Sequence, residues 1–234
     1  TGLEMTANRY INIVSWNING CGNPIKRRKV LTYLKSKNTD VAFIQESHMM
    51  GDEEAGKFKR GWVGKVFHSS YSSKQNGVMI LINKNLSFVM IKQHNDKEGR
   101  IICIEALING IRTVLCNIYA PNKEEPDFFH EVNRVIGNMQ GQVILAGDFN
   151  QVMDGIVDKS KPSAKSSPRD RAAIHMLTED LSLVDIWRLV NPREREYTFY
   201  SHCHKSHSRI DFFLVSNSLI DSIVDCEIGA IALS

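Results

Sequence analysis

The sequence has no long hydrophobic run, few cysteines and little net charge, and each shortage excludes a class of protein. No apolar stretch approaches the roughly 18–20 residues that span a membrane, so no membrane partner is expected. The first residues lack the charged and then apolar pattern of a secretory signal. A net charge of +3 does not by itself indicate a polyanionic partner. With 42% apolar and 24% charged residues, the composition is that of an ordinary globular domain.

The five cysteines are dispersed along the sequence, and their number is odd. Cys103 and Cys116 lie within apolar segments, where a free thiol behaves as a small hydrophobic group. This pattern predicts free thiols in a reducing compartment rather than a disulfide framework. We therefore expect a protein that is not secreted.

Segments typical of strands and helices alternate along the chain, which predicts an α/β fold. Residues 1–8 are expected to be a flexible leader or tag remnant, and residues 9–234 a single domain. The polar and basic residues 158–170 should form a surface loop. The predicted strands are residues 11–16, 41–44, 78–82, 101–108, 113–118, 143–146, 197–200 and 210–215, and the predicted helices are residues 24–37, 127–139 and 171–181. Because the strands fall into two groups, we expect stacked sheets with helices outside.

Polar side chains follow the apolar segments where strands should end. The apolar residues 143–146 lead into GDFN at 147–150, and side chains two positions apart share one face of a strand. Asp148 can then activate a water molecule while the Asn150 amide donates to an anionic oxygen. One glutamate with amides and water suits Mg²⁺, with Mn²⁺ as a substitute. The other polar residues expected at this pocket are Asn17, Asn19, Glu46, Tyr119, Asn122 and Asp211.

Five short motifs occur in order: WNING at 16–20, IQESH at 44–48, NIYAPN at 117–122, GDFN at 147–150 and SRID at 208–211. In this order and spacing they resemble the motifs of the endonuclease/exonuclease/phosphatase superfamily, whose fold is like that of DNase I. The NIYAPN form, DKEGR at 96–100 and YTFYS at 197–201 are similar to the apurinic-type endonuclease domain of LINE-type non-LTR retrotransposons. The resemblance extends from about residue 11 to the end of the chain.

The resemblance implies a four-layered α/β sandwich, with two stacked mixed β-sheets flanked by helices, and a metal-dependent phosphodiesterase that nicks DNA. Glu46 would hold the divalent metal with help from Asn17. Asp148 would position or deprotonate the attacking water. The other catalytic residues, which would contact the scissile phosphate or complete the acidic cluster, are Asn150, Tyr119 and Asp211.

The resemblance also implies partners. Double-stranded DNA would be the substrate, and the nick would leave a 3′-hydroxyl that primes reverse transcription by the reverse transcriptase domain of the same polyprotein. The isolated domain is expected to be a monomer that acts in the nucleus after synthesis in the cytoplasm. The residues expected to contact DNA are Asn19, Asn122, Lys159, Thr198, Ser201, His202, His204 and Ser208.

Several features have a plainer alternative. The basic run at residues 26–29 resembles a nuclear-localisation patch, but is expected to be the solvated face of the first helix. The histidines and cysteine at residues 202–207 are potential zinc ligands, yet a variable DNA-contacting loop is favoured. Trp62 and Trp187 have no polar motif around them and are expected in the core.

The superfamily's final Ser-Asp-His motif would begin at Ser234, so no catalytic histidine is assigned. Residues 226–233 are expected to form a strand leading into the site, and the native protein is expected to continue beyond Ser234. Two other functions stay open: an abasic-site repair endonuclease of the same superfamily, and a catalytically silent DNA-binding module. Plasmid nicking with Mg²⁺ distinguishes between them.

Overall fold

The computed structural model describes residues 10–161 and 167–229, which build two β-sheets with helices outside them. The first part of the chain forms β1 (Ile13–Asn17), α1 (Pro24–Ser36), β2 (Val41–Gln45), α2 (Gly51–Gly56), β3 (Val63–Ser69) and β4 (Val78–Asn83). These four strands lie in the order β1-β2-β4-β3. Because β1 and β2 are parallel, both strands end at the same edge of this sheet.

The second sheet contains six strands: β5 (Phe88–Asn95), β6 (Ile101–Ile108), β7 (Ile111–Tyr119), β8 (Gln142–Asp148), β9 (Leu183–Asp185) and β12 (Asp211–Ser216). Their order is β5-β6-β7-β8-β12-β9, with β7 and β8 parallel and the other neighbours antiparallel. The remaining elements are α3 (Pro126–Gly137), α4 (Pro168–Asp180), α5 (Ile186–Val190), a hairpin of β10 (Phe199–Ser201) and β11 (Ser206–Ser208), and a 3₁₀ helix at Asn217–Ser222.

Buried apolar side chains form three clusters that define the layers. Phe43 and Leu115 belong to the cluster between the two sheets. Leu34 of α1 packs on the outer face of the first sheet. Phe129 of α3 and Ile174 of α4 cover the outer face of the second sheet. The four-layered α/β sandwich predicted from the sequence is therefore confirmed.

The start of α1 shows how local sequence sets a helix boundary. The Asn23 side chain accepts a hydrogen bond from the amide of Ile25 at 2.8 Å, and Pro24 occupies the first helical position. The basic run in this helix is not wholly solvated, contrary to our expectation. Arg27 faces inward and donates to the carbonyl of Cys21, because the face of the helix that contacts the sheet includes its position.

Apart from the strand expected at residues 226–233, every predicted strand and helix is present with bounds within three residues of the prediction. Four strands were missed, of which β5 is typical: most of its side chains are exposed, so it shows no apolar alternation. The two late predicted strands do not pair with each other. Strand β10 pairs with the unpredicted β11, while β12 lies in the six-stranded sheet between β8 and β9.

Cys103 and Cys116 are joined as a disulfide, whereas the sequence predicted two free thiols. The two residues are directly opposite each other in the antiparallel register of β6 and β7. Thirteen residues separate them in sequence, and this spacing gives no sign of the pairing before the strand register is known.

The expected surface loop at residues 158–170 is buried at both ends. Asp158 is 0% exposed and Asp170 is 1% exposed. The Asp170 carboxylate accepts hydrogen bonds from the amide of Glu125 at 2.9 Å and from the side chain of Gln151 at 2.8 Å. Internal residues 162–166 lie outside the described part of the chain.

The expectations for the two ends concern residues mostly outside the described ranges. The proposed leader at residues 1–8 and the end at Ser234 are not described. Residues 226–229, the described part of the predicted last strand, do not form a strand. Glu227 Oε1 instead lies 3.7 Å from Nζ of Lys37, the residue that follows α1. Within the described ranges, no helix has the length and apolar content to cross a membrane.

Candidate active site

Strand ends from both sheets meet at one edge of the sandwich. Strands β1 and β2 end at Asn17 and just before Glu46, and the parallel strands β7 and β8 end at Tyr119 and Asp148. Asp211 opens β12 directly opposite Asp148 in the antiparallel register. The sheet topology therefore gathers the polar residues that the sequence predicted would share a pocket.

Asn17 links the two carboxylates that the resemblance assigns to metal and water. Its amide nitrogen donates to Glu46 Oε1 at 2.8 Å and to Asp148 Oδ2 at 3.0 Å. Its oxygen accepts from the backbone amide of Asn19 at 3.1 Å. Asn17 therefore holds Glu46 and Asp148 together across the two sheets, and presents its nitrogen rather than its oxygen to them.

Backbone strain is concentrated around the same groups. Asn19, Glu46, His48 and Asn150 adopt left-handed conformations, with φ between 45° and 53°. Such angles are uncommon for residues other than glycine, and they occur most often at functional sites. At Asn150 this conformation turns the chain so that its amide donates to Asp148 Oδ1 at 2.9 Å.

Gly147 is required by the close approach of β7 and β8. A Cβ atom at this position would lie 2.0 Å from the carbonyl oxygen of Ile118, and the φ of Gly147 is +140°. No larger residue fits without moving one of the strands. The glycine in GDFN thus sets the position of Asp148, the next residue.

The carboxyl groups of the site lie close together and are partly or wholly shielded from water. The pKa of Asp148 is raised to about 6, chiefly by burial and to a smaller extent by the Glu46 carboxylate, although hydrogen bonds from Asn17 and Asn150 oppose part of the shift. Burial and then Asp148 raise the pKa of Asp211 well above its usual value. Burial followed by Glu46 also raises the pKa of the Tyr119 hydroxyl, which keeps that group protonated.

These residues fit a divalent cation. Glu46 and Asp148 are carboxylates joined through the Asn17 amide, and a bound cation would offset their negative charge. In the described part of the chain, no three His, Cys, Asp or Glu side chains are grouped as a complete ligand set. Glu46 with amide groups and water is a donor set that a divalent cation can use.

A buried amide network joins the two sheets beneath the site. The Gln45 amide donates to Asn117 Oδ1 at 2.7 Å, and Asn117 Nδ2 donates to the carbonyl oxygens of Ile44 and Met79 at 2.9 and 2.8 Å. Both amide side chains are completely buried. Because buried polar groups must be paired, this network fixes how the two sheets meet.

Two further residues at the site were missed by the sequence reasoning. His48 lies with Nε2 3.4 Å from Glu46 Oε2, in space left by Gly20, where a Cβ would lie 2.8 Å from the histidine ring. The Arg100 guanidinium lies over the Tyr119 ring at 5.3 Å and donates to the Tyr119 carbonyl. The sequence did offer a signal for both residues, because His48 lies in the IQESH motif and Arg100 in the DKEGR segment.

The residues expected to contact DNA occupy varied environments. Asn19 and Asn122 are exposed beside the site, and His202 and His204 are exposed in the turn of the β10–β11 hairpin. The Thr198 hydroxyl accepts from the amides of Ile210 and Asp211 at 3.1 and 3.2 Å, so it fixes the start of β12.

The remaining expected DNA contacts lie on or against the hairpin. Ser201 and Ser208 are half-buried within it. Lys159 forms a β-bridge with Ser208, and burial followed by the charge of Arg171 lowers the pKa of Lys159. Trp62 and Trp187 are buried, as predicted.

Comparison with known proteins agrees with this geometry. A Xenopus laevis protein described as transposon TX1 uncharacterized 149 kDa protein is 29% identical over 216 residues, which are 90% of this chain. The match spans only 16% of that protein, about one-sixth of its length. An exodeoxyribonuclease of Bacillus subtilis is 27% identical over 249 residues, covering 94% of each chain.

The fold has solved counterparts. The AP endonuclease LMAP of Leishmania major superposes with a TM-score of 0.72 at 17% identity, over 92% of this chain and 81% of that one. This likeness concerns the fold alone. The sequence model of one family covers nearly all of the described chain, residues 14–228. The chain therefore belongs to the Endonuclease/Exonuclease/phosphatase family.

Proposed function

We propose that this domain is a Mg²⁺-dependent DNA endonuclease that nicks target DNA for a non-LTR retrotransposon. The observation that carries the proposal is the hydrogen-bonded set of Glu46, Asn17 and Asp148, which lies beside Tyr119 where the strand ends of both sheets meet. The similarity to a transposon protein over 90% of the chain supports the biological setting. In that setting the 3′-hydroxyl at the nick primes the reverse transcriptase domain of the same polyprotein.

Asp148 is the residue proposed to act on the attacking water. A carboxyl with a pKa of about 6 is largely ionised at neutral pH, yet it is basic enough to accept a proton. The Asn17 side chain donates to Oδ2 of Asp148, and the backbone amide of Asn150 donates to Oδ1. These two hydrogen bonds fix the orientation of the carboxylate. Mg²⁺ held by Glu46 would supply positive charge to the scissile phosphate.

Tyr119 and Asn150 are the residues proposed to bind phosphate oxygens. The Tyr119 hydroxyl stays protonated because of its raised pKa, so it can act as a donor. Asn150 Nδ2 donates one hydrogen to the carbonyl of Ala120 at 2.8 Å, which orients the second hydrogen of the same amide. Donors fixed in this way stabilise charge that develops in the transition state.

The test is nicking of supercoiled plasmid with and without Mg²⁺. Glu46→Gln and Asp148→Asn should each lower the nicking rate by about 10²–10⁴-fold, because each removes a charged group that acts in the reaction. Glu131→Gln, at an exposed carboxylate on α3, is the matched control and should nick at the wild-type rate. Nicks should be extended by a DNA polymerase without prior end repair, since the proposal requires a 3′-hydroxyl.

Three outcomes would overturn the proposal. A wild-type protein that binds DNA but does not nick it would be a catalytically silent module. Preferred cleavage of an abasic duplex over intact DNA, by 10²-fold or so, would indicate repair instead. A wild-type nicking rate in Glu46→Gln would show that the proposed active site is wrong. The proposal also includes action in the nucleus after cytoplasmic synthesis, and a monomeric isolated domain.

A further inference from the structure

Residues 96–100, the DKEGR segment, form the loop that joins β5 to β6 beside the end of β7. The Asp96 side chain organises this loop from within. Its carboxylate accepts hydrogen bonds from the amides of Arg100 and Ile101, both at 3.0 Å, and from the amide of Glu98 at 3.3 Å. A side chain that satisfies several amides of its own loop holds that loop in one conformation.

The same carboxylate fastens the loop to the other sheet. Ser69, the last residue of β3, is 1% exposed. Its hydroxyl oxygen lies 2.7 Å from Asp96 Oδ1 and 2.8 Å from the Asp96 carbonyl oxygen. Because a buried hydroxyl needs an acceptor, Ser69 donates to one of these two oxygens. A loop that belongs to the second sheet is therefore held by the first.

Main-chain hydrogen bonds continue from the loop towards Glu46. The Gly77 amide donates to the Gly99 carbonyl at 2.8 Å, and the Gly77 carbonyl accepts from the amide of Ser47 at 2.9 Å. This approach leaves no room for a side chain, since a Cβ on Gly77 would lie 2.4 Å from Ser47 Oγ. Ser47 directly follows Glu46, so two hydrogen bonds connect the loop with the backbone next to the proposed metal ligand.

The Asn76 residue makes a second connection along the same path. Asn76 Nδ2 donates to the carbonyl of Glu98 at 2.9 Å, and the Asn76 carbonyl accepts from the amide of His48 at 3.1 Å. Asn76 is buried and adopts a left-handed conformation with φ of 60°. The two residues that follow Glu46 are thus both held by groups that also bind the loop.

The opposite side of the loop holds Tyr119. The Tyr119 amide donates to the Arg100 carbonyl at 2.9 Å, and Arg100 Nη1 donates to the Tyr119 carbonyl at 3.2 Å. The Arg100 guanidinium over the Tyr119 ring restrains the side chain as well. Burial, and then the charge of Glu46 and a hydrogen bond to it, raise the pKa of the Tyr119 hydroxyl, so these two side chains are neighbours.

We propose that residues 96–100 act as a spacer that fixes the Tyr119 hydroxyl relative to the Glu46 carboxylate, and that Asp96 is the positioning residue that keeps this spacer in shape. The inference rests on the proposed nicking function, in which Glu46 holds the cation and Tyr119 donates to the same phosphate. Both groups must reach oxygens of one phosphate, and a misplacement of about 1 Å lowers a rate by on the order of 10²-fold. Asp96 acts through Tyr119 rather than on the phosphate itself.

A double-mutant cycle between Asp96 and Tyr119 tests the inference, with kcat and KM measured for nicking of supercoiled plasmid. Asp96→Ala should lower kcat about tenfold and change KM for DNA by less than about threefold, since it alters the position of a group that acts in the transition state. Tyr119→Phe removes that group and should lower kcat by about 10²-fold. Adding Asp96→Ala to Tyr119→Phe should then lower kcat by less than about threefold more, because the group that Asp96 positions is gone.

Three further variants complete the design. Asp96→Asn keeps an oxygen that can accept from the Ser69 hydroxyl and the Arg100 amide, so its kcat should stay within about threefold of the wild type. Asp221→Ala, at an exposed aspartate of the 3₁₀ helix, is the matched control and should nick at the wild-type rate. Ser69→Ala, which removes the hydroxyl beside Asp96, takes its place in the cycle if Asp96→Ala does not fold.

Hydrogen exchange reports the structural change independently of activity. The amides of Gly77 and Tyr119 donate to carbonyls of the loop, so both should lose protection in Asp96→Ala, while the core amide of Leu115 keeps it. Retained protection at both loop-bound amides together with a lower kcat would overturn the inference, because the effect would not pass through the loop.

Three results of the kinetic measurements would also overturn it. The first is that the effects of Asp96→Ala and Tyr119→Phe multiply in the double variant. The second is a kcat for Asp96→Asn as low as that for Asp96→Ala, and the third is a wild-type kcat in Tyr119→Phe. In each of these cases the wild type still nicks, so the proposed function survives. A wild type that does not nick would instead reject both.

Discussion

Asp148→Asn should stabilise the metal-free protein at pH 8 while it lowers the proposed nicking activity by about 10²–10⁴-fold. Burial, assisted by Glu46, raises the pKa of Asp148 from 3.8 to about 6. A carboxyl whose pKa is higher in the folded state binds its proton more tightly there, so the fold gains stability as the pH falls from 6 towards 3.8. Above pH 6 the folded protein therefore contains a buried, ionised Asp148 carboxylate. Because its pKa is raised by about two units, this charge lowers the free energy of unfolding by about 3 kcal/mol.

The substitution also removes a favourable contact. The aspartate has two side-chain oxygens for these two donors, whereas an asparagine at position 148 has one. That oxygen can accept from the backbone amide of Asn150, but the hydrogen bond from Asn17 is lost. The lost hydrogen bond from Asn17 costs about 1 kcal/mol. The net gain at pH 8 is then about 2 kcal/mol. Near pH 4 the wild-type carboxyl is protonated in the fold, so the gain disappears and a loss of about 1 kcal/mol remains.

Urea unfolding of both proteins in a metal chelator, at pH 8 and pH 4, measures this change of sign. For a domain of this size, the gain at pH 8 corresponds to a Tm increase of about 4–8 °C. Saturating Mg²⁺ should reduce the difference, because a cation stabilises the ionised wild-type site. A variant less stable than the wild type at pH 8, and no less stable at pH 4, would refute the electrostatic reasoning.

The remaining predictions concern groups that hold the site in place. Asn117→Leu should lower the free energy of unfolding by about 2–4 kcal/mol, and urea denaturation measures the loss. The buried Gln45 amide keeps only the Ser15 hydroxyl as an acceptor, and the carbonyls of Ile44 and Met79 lose the donor that Asn117 supplies. An unfolding free energy within 0.5 kcal/mol or so of the wild type would contradict a bridging role for Asn117. Gly147→Ala should destabilise the fold by more than about 3 kcal/mol, because its Cβ would lie 2.0 Å from the Ile118 oxygen. Circular dichroism during heating measures that effect, and an unchanged Tm would show that β7 and β8 can separate without loss.

Much of the fold was predictable because its central strands are apolar on both faces. Strand β6 was predicted with its observed bounds, since residues 101–108 are almost entirely apolar and are flanked by polar turns. The polar residues after such runs were equally visible. Parallel strands that end at one edge then bring Asn17, Glu46 and Asp148 together, so the membership of the site followed from strand ends and the motif resemblance.

Other features depend on contacts between distant parts of the chain, and the local spacing of residue types does not predict such contacts. Strand β5 has no apolar alternation because it lies at the edge of its sheet and is largely exposed. Asp158 appeared to belong to a solvated basic loop, because a lone aspartate among lysines is usually exposed. Its burial follows from Arg209, a partner 51 residues away that supplies the opposite charge.

The orientation and charge state of the site residues emerge only when both sheets are assembled. Asn17 and Asp148 are 131 residues apart, and their hydrogen bond exists because the amide network beneath them fixes how β2 meets β7. The same packing excludes water from Asp148 and raises its pKa. A carboxylate basic enough to take a proton from water is thus one that weakens the metal-free fold. A substitution that removes the charge of Asp148 therefore stabilises the metal-free fold but also removes the group proposed to act on the attacking water.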